Sequence, residues 1–158
     1  MQEKLVPTQD EKVTSALAHA AIILPMWGII VPAIFWATQR EKSEFIKDQT
    51  LQALSWQITQ VVLMFVMMAC YMASFFTMFG SAFMGNPETI GGPPPGFFFP
   101  FCIMGMYFGV MAAFFISGIY AAARVLQGNV FTYPYVGSWI RRYMNEKDSA
   151  SKSDPDLL

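Results

Sequence analysis

The chain has 158 residues, a formal net charge of −1, 54% hydrophobic residues and a mean hydropathy of +0.39. Soluble proteins average about 25% charged residues; here the share is 13%, and residues 13–39, 49–87 and 89–123 contain no Asp, Glu, Lys or Arg. This arithmetic excludes a disordered chain, a disulfide-rich secreted module and a nucleic-acid binder, and it sets an all-α integral membrane protein of one domain as the expectation.

Residues 1–12 are polar and mixed in charge, without the short apolar run and cleavage site of a signal peptide, so insertion through the chain's own apolar segments is expected. Thr14 or Ser15 is the expected cap of the first helix, with Asp10 and Glu11 near its positive end. A membrane domain then runs over 13–144, and the polar tail 145–158 is expected to be disordered.

As one straight helix, 13–39 would be roughly 40 Å long, against a hydrocarbon core about 30 Å thick. Pro25 and Gly28 interrupt its middle and Pro32 follows. It is either one kinked span or a hairpin of two short helices, about 14–24 and 28–38. Lysines and arginines favour the hairpin and leave the single span as the alternative. Arg40, Lys42 and Lys47 mark the 40–48 loop as cytoplasmic, and Arg124, Arg141 and Arg142 do the same for the C-terminal part. The 80–96 loop has neither Lys nor Arg and is outside. A hairpin keeps Lys4 and Lys12 on the cytoplasmic side as well.

The third segment starts with amides and hydroxyls (Gln49, Gln52, Ser55, Gln57, Thr59, Gln60) and is continuously apolar from Val61 to Phe79. These polar residues go around the helix. They are read as hydrogen-bonding partners of the hairpin and of interfacial water in preference to a polar pathway, with Trp56 as a headgroup-level anchor. The outer loop carries Gly91-Gly92-Pro93-Pro94-Pro95-Gly96, a stiff non-helical connector. The last helix covers about 97–127 and stops at Gly128-Asn129. Beyond it, the aromatics and arginines of 130–143 suit a segment lying on the cytoplasmic interface. The expected architecture is a small helical bundle: a short N-terminal hairpin plus two long transmembrane helices, about four membrane segments.

Gly105, Gly109, Ala113, Ser117 and Ala121 form an i+4 ladder on the last helix, and Ala69, Ala73, Thr77 and Ser81 form one on the helix before it. Residues four apart stack along a helix, and small ones admit a close neighbour. The preferred reading packs these two helices on each other within one subunit; the alternative is a second subunit.

His19 is the only histidine. An ionisable group at membrane depth is a functional candidate, but a neutral imidazole bonded to a neighbouring helix is the preferred reading over a proton relay, since no acidic residue lies in the apolar tracts to partner it. His19, Gln52, Gln57 and Gln60 are the candidate polar site. Twelve methionines, with Met64, Met67, Met68 and Met72 close together, are read as apolar filling rather than a copper(I) site. Cys70 and Cys102 are expected to be free thiols. No nucleophile elbow, phosphate loop or metal-binding motif occurs, so neither catalysis nor a metal or other cofactor is expected.

Three blocks resemble a known family. Asp10-Glu11-Lys12, Ala16–His19, Pro25, Gly28–Pro32 and Phe35-Trp36 are similar to the opening of a prokaryotic membrane family of unknown function. That family is classed with the twenty-kilodalton subunit of the chloroplast inner-envelope protein translocon. Residues 45–57 resemble its second block through Ala53, Leu54 and Gln57, with Gln49 and Ser55 departing from the usual His and Asn. Gly128 to Pro134, including Tyr133, resembles its closing block. The resemblance covers roughly 10–140. It implies about four membrane segments, both termini cytoplasmic, and an accessory or packing role in a membrane assembly, as the plastid subunit contributes to a protein-conducting path. The partners expected are the lipid bilayer of a bacterial plasma membrane and other membrane proteins or further copies. A self-sufficient channel or carrier for a small solute is the alternative.

Overall fold

The structure is a computed structural model that describes residues 6–24, 27–84, 97–134, 136–138, 140 and 142, with the side chains of 81–84 left aside. Pro25, the 85–96 part of the outer loop, Trp139, Arg141 and the tail lie outside the described residues, so the readings made of them are not addressed.

Helix α1 spans Gln9–Ala20. It starts a turn earlier than the sequence reading placed it, because Thr8 and not Thr14 or Ser15 supplies the cap. The Glu11 amide donates to Thr8 Oγ1 at 3.3 Å and the Thr8 amide to Glu11 Oε2 at 2.6 Å, a reciprocal capping box. Ser15 is instead fully buried. Two short 3-10 turns follow, Ala21–Ile23 and Trp27–Ile29, and then α2, Ile30–Gln39. α1 and α2 pack on one another and so do the two turns, the hairpin of the two readings and not the single kinked helix. Pro32 is buried in the first turn of α2, where its missing N–H costs little. The turn needs Gly28: its amide donates to Leu24 O at 2.7 Å, and a Cβ there would collide with the Ala21 carbonyl oxygen.

Helix α3 spans Glu44–Met84 and α4 spans Phe99–Leu126. Both are long and apolar enough to cross a bilayer, with mean hydropathies of 2.1 and 2.0 in their most apolar windows, of which only 11% and 22% is buried. A core helix of a soluble protein would be covered; helices this apolar and this open suit lipid. The 27–39 stretch is a shorter apolar helix. Among the described residues every regular element is helical.

α4 ends in a Schellman turn. Gly128 N–H donates to Val125 O at 2.8 Å and Asn129 N–H to Arg124 O at 3.2 Å, with Gly128 at φ +82°. The chain divides into two units. Residues 1–58 with 115–158 hold the hairpin, the polar start of α3, the end of α4 and the segment after it. Here Ala16, Ala122 and Val125 form a small apolar core, flanked by Ala20, Phe45 and Phe131. Residues 59–114 hold the apolar remainder of the two long helices.

Within this second unit the small-residue ladders do not do what the sequence reading assigned to them. Ala69, Ala73, Thr77, Gly105, Gly109 and Ala113 are exposed, and added Cβ atoms at Gly105 and Gly109 would meet nothing within 4 Å. The buried positions of the unit are Met67, Ser74, Pro100, Ile103, Met111 and Phe114, mostly bulky residues and none of the ladder positions. Only the far end of the α4 ladder, Ser117 and Ala121, is packed in, and that end belongs to the first unit.

Candidate functional site

The densest polar constellation lies in the first unit, around His19. The last turn of α1 brings His19 inward beside Ala18, and both are buried. The first turns of α3 present Gln49 and Gln52 on one side, four-residue spacing apart from Ala53 and Trp56. After the Gly128 turn the chain runs without regular structure through Phe131 and Tyr133, back across these helices.

His19 Nδ1 lies 2.9 Å from Tyr133 Oη, and Nε2 lies 3.4 Å from Gln49 Oε1. Gln49 Oε1 also accepts from the Phe131 amide at 3.3 Å, while Gln49 Nε2 donates to Phe131 O at 3.2 Å and to Asp48 Oδ2 at 2.9 Å. The carbonyl end of Gln49 can only accept, so the imidazole donates from Nε2 and accepts the Tyr133 hydroxyl proton at Nδ1. The side-chain amide of Gln49 thus pairs with the backbone of Phe131 in the way a neighbouring strand would. Gln52 repeats the device one turn on: its Oε1 accepts from the Tyr133 amide at 3.2 Å and its Nε2 donates to Asp48 at 3.2 Å. Gln49, Gln52 and Tyr133 are 0%, 0% and 2% exposed. Buried polar groups of this kind are costly unless satisfied, and these satisfy one another.

Aromatic rings complete the cluster. Trp56 stacks on Tyr133 with centroids 4.4 Å apart and planes 10° from parallel, and its Nε1 donates to Ser117 Oγ of α4 at 3.1 Å. Phe131 meets Tyr133 edge-on at 4.9 Å, and Tyr120 of α4 meets Phe131 at 5.8 Å. Gly137 is required close by, since a Cβ would collide with Thr132 Cγ2.

Of the predicted polar site, His19 and Gln52 are both tied to Tyr133, one at its hydroxyl and the other at its amide. Gln57 joins the same unit by donating to Ala18 O at 3.1 Å, as expected of a partner for the hairpin, and its Oε1 is buried without a partner. Gln60 is not brought to His19: it belongs to the other unit, where its Nε2 lies 3.7 Å from Met111 Sδ. Trp56, expected at the headgroup level, is half-buried with one face covered by Tyr133. In the 130–134 segment, expected on the interface, Phe131 and Tyr133 turn inward, and Ile140 beyond it is buried. Sequence reasoning missed Tyr133 and Asp48 as members of the cluster. The signal was the run of amides in α3, more than the hairpin alone can use. Ala53 is buried and Leu54 half-buried, packing residues of the same helix. The exposed Pro134 follows Tyr133 and starts the next turn.

The profile of the magnetosome magnetite crystal formation protein family, MamF/MmsF, matches residues 10–140. The chain belongs to this family. The match overturns the resemblance to the translocon subunit and, with it, the translocon-like accessory role and the channel or carrier alternative. The blocks behind that resemblance are short and mostly apolar, and lipid imposes such residues on many small helical membrane proteins. Comparison with curated proteins and with solved structures returns no match.

Proposed function

We propose that this chain is a magnetosome membrane protein that takes part in magnetite crystal formation. One observation carries the reading: the family match covers 10–140, which holds both long apolar helices and every member of the His19 cluster. The hairpin and the two long helices form the membrane part, with both ends of the chain on the cytoplasmic side. The cluster works as a latch. It ties α1, the start of α3, the end of α4 and the 131–133 segment into one rigid piece, and the protein acts through that shape and not by catalysing a reaction. It works beside other membrane proteins or further copies of itself.

The test is genetic and biochemical. In a magnetite-forming host, deletion of the gene is expected to change the size or number of crystals seen by electron microscopy. The intact chain restores them, and it co-fractionates with magnetosome membranes. Unchanged crystals after deletion, or a chain recovered away from those membranes, overturns the proposal.

A further inference from the structure

The N-terminal hairpin is short against the thickness of a bilayer. Its closed end is pinned at two places in the first unit. Ile22 packs so tightly on Gly118 of α4 that a Cβ there would come within 2.6 Å of Ile22 Cγ2, and a Cβ at Gly28 would stand 3.4 Å from Gln57 Oε1 of α3. Gln57 is nine residues beyond Asp48, and Gly118 is six before Arg124. At a rise of 1.5 Å per residue the closed end therefore lies about 9–14 Å along these helices from their nearest charges, while the hydrocarbon core is about 30 Å thick. Helix α2, with 10 residues, is about 15 Å long, which is half that thickness.

Charge and exposure agree with this depth. All formal charges of the hairpin sit at its open end: Asp10, Glu11 and Lys12 where α1 starts, and Arg40, Glu41 and Lys42 where α2 has ended. The Arg40 guanidinium lies 4.7 Å over the Trp36 ring, a pairing suited to the headgroup boundary. The closed end is bare and apolar, with Ile23 57%, Leu24 53% and Trp27 72% exposed. Between the arms runs an open groove of about 260 Å3, lined by Leu17, Ala20, Ala21, Leu24, Val31 and Phe35 and by no polar side chain.

We propose that the hairpin is a half-bilayer wedge: it enters one leaflet from the side of the 40–48 loop, turns near the midplane and returns, with an acyl chain of a membrane phospholipid lying in its groove. An acyl chain matches the groove in polarity, and the half-thickness of the bilayer matches the arm in length. The charges at the open end stand where the headgroup of that lipid would be.

The test uses the full chain in phosphatidylcholine/phosphatidylglycerol nanodiscs, with Cys70 and Cys102 replaced by Ala. Nitroxide labels are placed singly at Ile23→Cys, Ile30→Cys, Ala37→Cys and Lys42→Cys. The ratio of oxygen to nickel-chelate collisions is expected to be several-fold higher at Ile23→Cys than at Lys42→Cys and to fall steadily between them. A ratio that peaks at Ile30→Cys and drops again at Ile23→Cys means a full crossing and overturns the wedge; high nickel access at all four places the hairpin in water and does the same. The groove is read with a phosphatidylcholine carrying a photoreactive acyl chain. Its adducts are expected on peptides containing Leu17 or Phe35, and Leu17→Trp or Val31→Trp, which fill the groove, are expected to cut them several-fold with the depth profile unchanged. Adducts indifferent to both substitutions, or chain-to-chain crosslinks in their place, overturn the acyl-chain assignment.

Discussion

The hydroxyl of Tyr133 lies 2.9 Å from Nδ1 of His19, joining two buried side chains 114 positions apart. The bond closes the first unit on itself: the last turn of α1 is held to a segment reached only after both long helices have been traversed. Tyr133→Phe keeps the ring and its stack on Trp56 but leaves Nδ1 of a buried imidazole without its donor. Leaving a buried polar group unsatisfied costs about 1–3 kcal/mol. The variant is expected to unfold at a lower temperature in detergent. A double-mutant cycle with His19→Ala is expected to show that much of the two losses is shared, because both remove the same bond.

Gln49 has two chemically different ends, and both are used. Gln49→Glu keeps the size but gives up the donor and sets a carboxylate beside Asp48 and Phe131 O, while Gln49→Leu removes both ends. The acidic variant is expected to be the worse of the two, since an unpaired buried charge is costlier than an apolar replacement. Limited proteolysis provides the check: cleavage after residue 128 is expected to rise most in Gln49→Glu, less in Gln49→Leu, and least in the unaltered chain.

The sequence made the two long helices legible because a plain rule, length and absence of charge, holds over residues 49–84 of α3 and 99–123 of α4. The hairpin was legible from Pro25, Gly28 and the position of the lysines. The cluster was legible only by halves. His19 and the amides of α3 announced buried hydrogen bonding, but their partner on the other side is backbone, and the amides of Phe131 and Tyr133 carry no mark in a sequence. The part of Phe131 and Tyr133 in the cluster was not legible, because aromatic residues suit an interface and a polar core equally well and only the path of the chain after Gly128 brings these two to His19. The small-residue ladders misled for a related reason, since a stripe of small residues states that something can approach and not which helix does.

Glycine substitutions separate the two uses of small residues. Gly28→Ala drives a methyl group into the Ala21 carbonyl oxygen and is expected to open the turn between the arms of the hairpin, lowering the unfolding temperature measurably. Gly105→Ala, inside α4, adds its methyl group to open space and is expected to be neutral or to stabilise by up to about 1 kcal/mol. Parallel thermal scans in the same detergent check the pair, and equal losses at both positions would contradict the packing described.

The start of α1 carries a pH dependence of known sign. The Ser43 hydroxyl and the Thr8 amide hold the Glu11 carboxyl below its ordinary value, against a smaller opposing effect of burial. A carboxyl depressed in the folded state contributes stability above its unfolded pKa and loses it as the pH falls through the folded value. Amide exchange at Thr8, Glu11 and Lys12 is therefore expected to be slow at neutral pH and to lose part of its protection, after correction for intrinsic rates, on acidification into the carboxylate range. Glu11→Gln is expected to flatten that acid dependence while still allowing a neutral bond to the Thr8 amide. Thr8→Ala is expected to remove the cap outright, at about 0.5–2 kcal/mol. Acid loosening of equal size in the parent and in Glu11→Gln would place the titrating group elsewhere.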